Sequence, residues 1–382
     1  MRITIVTGFF LPVPPVRGGS TEKIWHRLAQ LLAEAGHDIT FVSRGWSGLP
    51  DRETEHGVSH IRIRGANHRR SLATNLWNDF WWGTRVARVL PTADVVICNT
   101  VTLPVWLRRI KPNAGRVVAV IARMPKGHGY AYGNIDLLLA LTEVVAARLR
   151  AENAALAPRI ATFPYPIDWS LHANISRQAS AVATIGYVGR IHPTKGIATL
   201  LDAATRLVTR ENLPRWDIEL VGPWSVAEGG GGDGYRAELL ARFGANLGDR
   251  VRFTGPEFDA EKLAQRYAAM EIFCYPSVDR GETFGVAVAE AMAAGCAPVV
   301  SDLECFRELV QPGETGLTFA RNDRDAGVQL ASALESLLLN PSYRDAVAAR
   351  ARTHAQRYDF SASAAQLIRL LESVASTTAT RT

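Results

Sequence analysis

The chain has 382 residues, a formal net charge of +6 and 47% hydrophobic residues, a composition typical of a soluble globular protein. Its length exceeds that of one ordinary core and predicts two domains of about 150–200 residues. No run of about 18 apolar residues occurs, which argues against a transmembrane helix. The arginines are dispersed along the sequence rather than gathered in one arm, so we expect no nucleic-acid partner.

The amino-terminal stretch and the cysteines indicate the compartment. Residues 2–10 are β-branched and apolar over too short a length for a secretory signal, so we expect a first strand and a cytoplasmic protein. The four cysteines show no metal-binding spacing, and we expect buried thiols in a reducing compartment. They are Cys98, Cys274, Cys296 and Cys305.

The start of the chain predicts a βαβ unit. After the strand at 2–10, Gly18 and Gly19 open a helix with apolar residues on one face, and residues 38–43 form the next strand. This is the beginning of a doubly wound parallel sheet. The glycine pair either lets the backbone approach a ligand closely or only makes the turn. We favour ligand approach, although the pattern is not the GxGxxG of dinucleotide sites.

A basic, tryptophan-rich segment follows residues 58–64, whose alternation of apolar and polar residues predicts a half-exposed strand. It runs from His68 to Arg88 and contains His68-Arg69-Arg70 and then Trp77, Trp81 and Trp82. Two interpretations remain open. The segment is either a helix packed on the sheet with solvated arginines, or a helix that lies on an anionic membrane or holds a lipid-linked acceptor.

The remainder of the first half continues the alternation of strands and helices. The loop at 122–133 follows a strand, at the edge where open α/β sheets place their active sites, and it carries Arg123 and His128. Thr142 is expected to cap a helix that ends near Arg150. Further strands are expected at 94–99, 116–121, 135–141 and 160–168, and a polar stretch at 169–181 marks a domain boundary.

The second half repeats this organisation. The loop at 189–196 joins its first strand to a helix and carries Arg190 and Lys195. These two cations can bind one diphosphate, the arginine as a fork and the lysine as a point charge. The glycine-rich segment 229–234 is expected to be a flexible loop. Strands are expected at 182–188, 216–221, 251–254, 272–275, 297–301 and 316–319, and helices from 326 onward.

The most informative stretch is 281–295, which predicts a loop followed by a buried helix. Glu282 lies just before the helix and Glu290 in its third turn. A buried carboxylate needs a partner, so each either faces a ligand or makes a structural salt bridge. About 12 Å of helix separates the two, a span that suits a nucleotide-sugar. Its ribose would lie at Glu290, its sugar at Glu282, and its diphosphate at the amides of Phe284, Gly285 and Val286.

Taken together, these motifs resemble the family 4 retaining glycosyltransferases. Glu282 and Glu290 within GETFGVAVAEAMAAG match the E-x7-E motif, and GRIHPTKG at 189–196, the strand ending at 275–277 and the glycine pair 18–19 are similar to the same family. The resemblance covers nearly the whole chain. It implies the α/β GT-B fold, with two Rossmann-like doubly wound domains facing across a cleft. The implied parts are an acceptor domain at 1–168, a donor domain at 169–357 and a C-terminal helix at 358–382 that returns to the first domain.

The resemblance also implies roles for the site residues. Arg190 and Lys195 would stabilise the leaving diphosphate, Glu290 would hold the ribose, and Glu282 would contact the hydroxyls of the donor sugar. Gly18 and Gly19 would belong to the donor site as well. These roles are consistent with the chemistry of the reaction, because fixed cations and a helix N-terminus can offset the negative charge that develops on phosphate oxygens. Retention is ascribed in this family to attack on the same face, with the leaving phosphate helping to deprotonate the acceptor.

One departure concerns the first half. Many relatives carry a histidine shortly after the strand that corresponds to 116–121, whereas here the place is taken by Ala122, Arg123 and Met124. Either His128 reaches in from a longer loop or Arg123 substitutes for the histidine. We assign both to the acceptor region.

The expected function is therefore the transfer of a sugar from a nucleoside-diphosphate sugar to a hydroxyl acceptor, in cell-surface polysaccharide or glycolipid synthesis. No metal or other cofactor is expected, and the D-x-D sequence at 323–325 is attributed to chance. The second interpretation of 68–88 implies peripheral contact with the inner face of the plasma membrane. Two alternatives are a nucleotide-sugar 2-epimerase, which would isomerise its substrate without an acceptor, and a non-catalytic sugar-nucleotide-binding protein.

Overall fold

The computed structural model describes residues 1–69, 71–177 and 180–376, which form two compact units. Unit 1 comprises Met1–Pro166 and Phe360–Thr382, and unit 2 comprises Ile167–Asp359. The expected domain boundaries after residues 168 and 357 each lie two residues from the observed ones, after residues 166 and 359. Arg70 of the basic stretch, residues 178–179 of the polar stretch at the expected domain boundary and residues 377–382 of the expected C-terminal helix lie outside the described residues.

Unit 1 is built on a sheet of order β3-β4-β2-β1-β5-β6-β7-β8, in which β3 is antiparallel to β4 and the other pairs are parallel. Its strands are β1 Arg2–Val6, β2 Asp38–Arg44, β3 Arg52–Glu55, β4 Val58–Ile63, β5 Val95–Cys98, β6 Arg116–Ile121, β7 Leu137–Ala140 and β8 Ile160–Thr162. Its first helices are α1 Ser20–Glu34, α2 Leu72–Val89, α3 Leu103–Ile110 and α4 Glu143–Glu152.

Several strands of unit 1 differ from the prediction, and the strand expected at 160–168 ends at Thr162, before Pro164 and Pro166. The first strand ends at Val6 instead of residue 10, and a loop containing Pro12, Pro14 and Pro15 follows, where proline lacks the amide that a strand needs. The strand at 58–64 was expected to be half exposed, which is wrong. Its polar residue Arg62 is buried because it forms an ion pair with Glu53 on β3.

Unit 2 contains a parallel sheet of order β11-β10-β9-β12-β13-β14. Its strands are β9 Ala183–Val188, β10 Trp216–Val221, β11 Val251–Gly255, β12 Ile272–Tyr275, β13 Ala297–Ser301 and β14 Leu317–Phe319. Its helices are α5 Trp169–Asn174, α6 Ile197–Val208, α7 Asp233–Leu247, α8 Ala260–Ala268, α9 Val286–Ala293, α10 Ala326–Leu339 and α11 Pro341–Ala355.

The strand order of unit 2 fixes where a ligand can bind. From β9 the chain builds outward through β10 and β11, and then returns to the other side of β9 with β12. The loops that leave β9 and β12 therefore diverge at a topological switch point, the place where open α/β sheets bind ligands. These are the loops at 189–196 and 276–285, which carry the predicted site residues Arg190, Lys195, Glu282, Phe284 and Gly285.

Two connecting segments complete the units. The polar stretch after residue 168 was predicted to mark a domain boundary. It begins with helix α5, which is capped by Asp168 accepting from the amide of Leu171 at 2.9 Å. The last helix, α12 Phe360–Ser376, packs against α1 and buries Leu367 and Leu371. Its return to the first domain confirms the prediction from the family resemblance.

Within the described ranges, no helix has both the length and the apolar character to cross a membrane. Each of the four cysteines is buried and carries a free thiol, as predicted. Burial raises the pKa of the Cys296 thiol to about 11, so this thiol is uncharged at neutral pH.

Candidate functional site

The two loops at the switch point of unit 2 interlock. The amide of Val278 donates to the carbonyl of Thr194 at 2.9 Å. Gly196 has φ +71°, and a Cβ atom at this position would lie 1.9 Å from the carbonyl oxygen of Pro276. Only glycine allows this approach. The glycine therefore fixes the position of its neighbour, Lys195, beside the second loop.

Lys195 forms an ion pair with Glu282, with 2.6 Å between Nζ and Oε2. The lysine is 6% exposed, and a second carboxylate, that of Asp279, lies 3.6 Å from Nζ. Burial is the largest single influence and lowers the pKa of Lys195, but the charge of Glu282, its hydrogen bond to the lysine and the nearby Tyr187 and Asp279 together outweigh burial, so the net shift is upward. The structure thus brings two predicted site residues into direct contact and holds a charged ammonium at the carboxyl end of β9.

An aromatic stack supports this ion pair. The ring of Tyr275 lies parallel to that of Tyr187, with centroids 5.6 Å apart, and Lys195 Nζ lies 5.7 Å from the Tyr275 centroid. The Tyr275 hydroxyl donates to Glu282 Oε2 at 3.4 Å. Burial, and then the nearby Glu282 carboxylate, raise the pKa of Tyr275. The Tyr275 hydroxyl therefore stays neutral and donates a hydrogen bond, and the Tyr275 ring packs against the Lys195–Glu282 ion pair.

Arg190 lies on the same loop as Lys195 but has different partners. Its guanidinium donates to the carbonyl of Gly229 at 2.9 Å, and its own carbonyl accepts from the Tyr187 hydroxyl at 2.9 Å. The side chain is exposed. The predicted cation is therefore present at the switch point, oriented by the glycine-rich segment.

The glycine-rich segment was expected to be a flexible loop, but its amides are hydrogen bonded. The amide of Gly231 donates to the carbonyl of Ile191, which connects the segment to the loop after β9. A Cβ atom at Gly229 would lie 3.0 Å from the Arg190 guanidinium, so the absence of a side chain lets the segment close on that arginine. The neighbouring bonds are Gly230 to Ser225 at 2.8 Å and Gly232 to Trp224 at 2.7 Å.

Helix α9 begins where a ligand phosphate was predicted. Its first residue is Val286, so Glu290 lies in the second turn and the prediction of the third turn is wrong. Gly285 has φ +101° and abuts Phe306, while Phe284 packs edge-on against Tyr358 with centroids 5.2 Å apart. In the described part of the chain, the backbone amides of 284–286 have no protein acceptor. Such a helix start attracts anions.

Glu290 is 6% exposed and is held from within unit 2. Its Oε2 accepts from the Tyr267 hydroxyl at 3.1 Å, and its Oε1 lies 3.9 Å from Nε2 of His172 on α5. Burial and the Glu290 charge raise the pKa of Tyr267, which keeps that hydroxyl protonated. Protein contacts therefore account for the burial of this carboxylate. Its role toward a ribose stays a prediction.

The glycine pair of unit 1 approaches a buried carboxylate of the protein itself. Gly19 has φ +97° and caps α1, and a Cβ atom there would lie 2.3 Å from Oε2 of Glu22. Glu22 is 4% exposed, and burial raises its pKa to about 7. Sequence reasoning missed this residue. The available signal was its position three residues before Trp25 on the apolar face of α1.

The loop at 122–133 is fixed at its centre. Both oxygens of Glu152 accept backbone amides, from Gly127 at 2.6 Å and from Gly129 at 3.0 Å. Arg123 and His128 are both exposed on this loop. The structure thus places both side chains in the region that follows β6 and does not separate the two alternatives.

Helix α2 has one buried and one exposed aromatic face. Trp82 is buried and donates from its indole nitrogen to the carbonyl of Thr7 at 3.0 Å. The opposite face is open to solvent, with Trp77 61% exposed. The interpretation as a helix packed on the sheet describes the buried face, and membrane contact through the exposed face stays a prediction. We call the exposed face the aromatic surface, formed by Leu72, Leu76, Trp77, Phe80 and Trp81.

The acidic residues of the D-x-D sequence have local partners. Asp323 accepts from the side-chain amide of Gln329 at 2.9 Å and from the amide of Asp325 at 3.0 Å, just before α10. Among residues 1–69, 71–177 and 180–376, no group of three or more histidine, cysteine or acidic side chains is arranged to hold a metal ion.

Comparisons of sequence agree with the family resemblance. A model described as Glycosyl transferases group 1 matches residues 182–340. A phosphatidyl-myo-inositol mannosyltransferase of Mycolicibacterium smegmatis is 28% identical, over 98% of this chain and 94% of that protein. A D-inositol 3-phosphate glycosyltransferase of Corynebacterium urealyticum is 33% identical, over 50% of this chain and 43% of that protein.

Solved structures confirm the predicted GT-B fold. Sucrose-phosphate synthase from Thermosynechococcus elongatus has a TM-score of 0.78 at 22% identity, covering 98% of this chain and 99% of that one. HepE from Anabaena, solved with UDP and glucose, has a TM-score of 0.74 at 18% identity, covering 98% and 100%. At these identities the likeness concerns the fold alone.

Proposed function

We propose that this chain is a glycosyltransferase of the GT-B type that moves a sugar from a nucleoside-diphosphate sugar to a hydroxyl acceptor with retention of configuration. The match of residues 182–340 to the model of the group 1 glycosyl transferases supports this class of enzyme. The observation that carries this proposal is the Lys195–Glu282 pair at the switch point of unit 2, next to the start of α9. It places a cation and a carboxylate beside backbone amides that have no protein acceptor among the described residues.

Each part of a nucleotide-sugar has a partner in this arrangement. Arg190, Lys195 and the amides of 284–286 bind the diphosphate, since they supply the charge and the donors that phosphate oxygens need. Glu282 contacts the sugar hydroxyls as an acceptor. Glu290 accepts the ribose hydroxyls, with its orientation set by Tyr267 and His172. The negative charge of Glu290 disfavours direct contact with a phosphate, which agrees with the assignment of this residue to the ribose.

The proposed reaction breaks the bond between the anomeric carbon and the phosphate oxygen. The acceptor oxygen attacks on the same face, and its proton passes to the leaving phosphate. Negative charge grows on the diphosphate, and Lys195 and the helix start stabilise it without reorganisation. This arrangement supports a reaction without a metal cofactor, which EDTA would then leave unaffected.

The acceptor is assigned to unit 1, in the region of Arg123 and His128. Two similar proteins are named for acceptors that contain inositol and phosphate, one of them a phospholipid. The aromatic surface of α2 supports a lipid-linked acceptor here, because large exposed apolar side chains beside arginines suit the boundary of an anionic membrane. The proposed location is the cytoplasmic face of the plasma membrane, whose leaflet is anionic.

Replacing Trp77 and Phe80 together by serine is expected to weaken binding to anionic vesicles at least about ten-fold, because two side chains lose their apolar burial. Co-sedimentation with vesicles at low salt measures the effect. Leu240→Ser, which changes an exposed apolar residue of unit 2, is the matched control and is expected to bind as the wild type does. Wild-type protein that fails to sediment, or a double variant that sediments equally, would remove the membrane from the proposal.

Calorimetric titration with UDP, GDP and ADP tests the donor site directly. At least one nucleotide is expected to bind the wild type, and Glu290→Ala is expected to reduce the preference for a ribonucleotide over its 2′-deoxy counterpart. If none of the three binds, the proposed donor class is wrong.

A further inference from the structure

A cavity of about 310 Å³ lies in unit 1 between α2 and the segment 64–66 that follows β4. This volume is at the lower end of the range for small-molecule sites and suits one ring with a substituent. The segment 64–66 and Phe9 follow the carboxyl ends of β4 and β1, the edge where such sheets bind ligands. The side chains that line it include Phe9, Arg64, Asn78, Trp81, Trp82 and Arg85.

The walls of this cavity are held by hydrogen bonds. The amide of Ala66 donates to the carbonyl of Phe9 at 3.0 Å, and Arg85 donates to the carbonyl of Arg64 at 2.9 Å. A Cβ atom at Gly65 would lie 2.2 Å from the Phe9 carbonyl oxygen, so the segment lies directly against the loop after β1. Trp82 is fixed by its own bond to Thr7. The cavity is therefore formed before any ligand arrives.

The charges around this cavity are of one sign. Among the described residues that line it there are two arginines, Arg64 and Arg85, and no carboxylate. The nearest acidic residue in sequence, Asp79, is bound instead to the amide and hydroxyl of Thr102 at 2.8 and 2.7 Å. Arg85 uses one donor on the Arg64 carbonyl, and a guanidinium has five. Donors thus remain for an anion.

We propose that this cavity binds the phosphate of a phosphorylated polyol, with Arg64 and Arg85 on the phosphate and Trp81 and Asn78 beside the ring. The inference rests on the proposed function and gives its acceptor a chemical class. Guanidinium forks match phosphate oxygens, and an amide and an indole suit a ring with hydroxyls on its edge and C–H bonds on its face. Because Trp81 belongs both to the cavity and to the aromatic surface, the same phosphate can arrive on a lipid or from solution.

The first arm of the test uses the full-length protein and free D-inositol 3-phosphate, with inositol as the phosphate-free counterpart. We expect calorimetry to show binding of the phosphate at least about ten-fold tighter than of inositol. Arg64→Gln and Arg85→Gln are each expected to abolish that preference. Arg109→Gln, an exposed arginine of α3 outside the cavity, is the matched control and is expected to retain it.

The second arm uses vesicles that contain phosphatidylinositol or, at equal charge, phosphatidylglycerol. If the phosphate is carried by lipid, Arg64→Gln and Arg85→Gln will each lower the ratio of affinity for inositol vesicles to affinity for glycerol vesicles by about ten-fold relative to the wild type. A preference for the phosphorylated polyol in either arm that both variants lose supports the inference. No preference in either arm, or a preference that the variants keep, overturns it.

The same proteins are titrated with nucleoside diphosphates, so that the two proposals can fail separately. If Arg64→Gln still binds a nucleoside diphosphate while the wild type shows no preference for the phosphorylated polyol, only the inference about the cavity is wrong. A wild type that binds no nucleoside diphosphate removes the proposed function.

Discussion

Replacing Lys195 by alanine is expected to lower kcat for sugar transfer by about 10²–10³-fold, the cost of removing one fixed group that stabilises charge in a transition state. The ammonium is the cation held deepest at the switch point, and its upward-shifted pKa keeps it charged across the neutral range. Initial rates at saturating donor measure the effect.

Two controls make this result specific. Lys262→Ala removes an exposed lysine of α8 in the same unit and is expected to keep the wild-type rate. Lys195→Ala also leaves Glu282 and Asp279 without their shared cation, so the melting temperature is recorded and rates are compared on protein that is still folded. A folded Lys195→Ala enzyme that turns over as the wild type does would remove this lysine from the mechanism.

Glu22→Gln is expected to stabilise the protein relative to the wild type progressively as pH rises. The folded-state pKa of Glu22 is raised by burial from 4.5 to about 7. Between these values the unfolded chain loses its proton while the folded chain keeps it, so folding binds a proton and the wild type loses stability as pH increases. The shift corresponds to about 3 kcal/mol. Glutamine does not titrate, so this loss is absent from the variant.

Urea unfolding of both proteins between pH 4.5 and pH 8 measures this difference. The free energy of unfolding of Glu22→Gln minus that of the wild type is expected to grow by about 3 kcal/mol across the range and then level off. Glu34→Gln, which changes an exposed carboxylate of the same helix, is the control and is expected to give a difference that stays flat. A flat difference for Glu22→Gln would mean that this carboxyl group is not the buried acid that the structure places beside Gly19.

The sequence predicted the parts of the fold that depend on local patterns. Apolar runs at β9 and β12 identified buried parallel strands, and the strand-to-helix turns that carry Arg190 and Lys195 followed from them. The meeting of Lys195 with Glu282 was not predicted, because it depends on how two loops far apart in sequence interlock through Gly196 and Pro276. The hydrophobic periodicity of a sequence carries no information about a contact between two distant loops.

Other residues were missed for related reasons. His172 lies on α5, a helix of six residues, too short to show a helical period in a polar segment. Arg62 looked solvent-facing because alternation in β4 implies an exposed side, whereas the added strand β3 brings Glu53 to cover it. Glu22 and the hydrogen bonds of the glycine-rich segment 229–234 were missed for the same reason. Whether a polar group is buried and paired depends on its tertiary partners rather than on its residue type.

We propose that this chain transfers a sugar from a nucleoside-diphosphate sugar with retention and without a metal. Proton NMR of the reaction with a donor panel and acceptor vesicles, run in the presence of EDTA, tests this proposal. We expect release of the nucleoside diphosphate together with a new glycosidic bond of the same anomeric configuration as the donor. A product of inverted configuration, loss of turnover in EDTA, or an isomerised sugar formed without acceptor would contradict it.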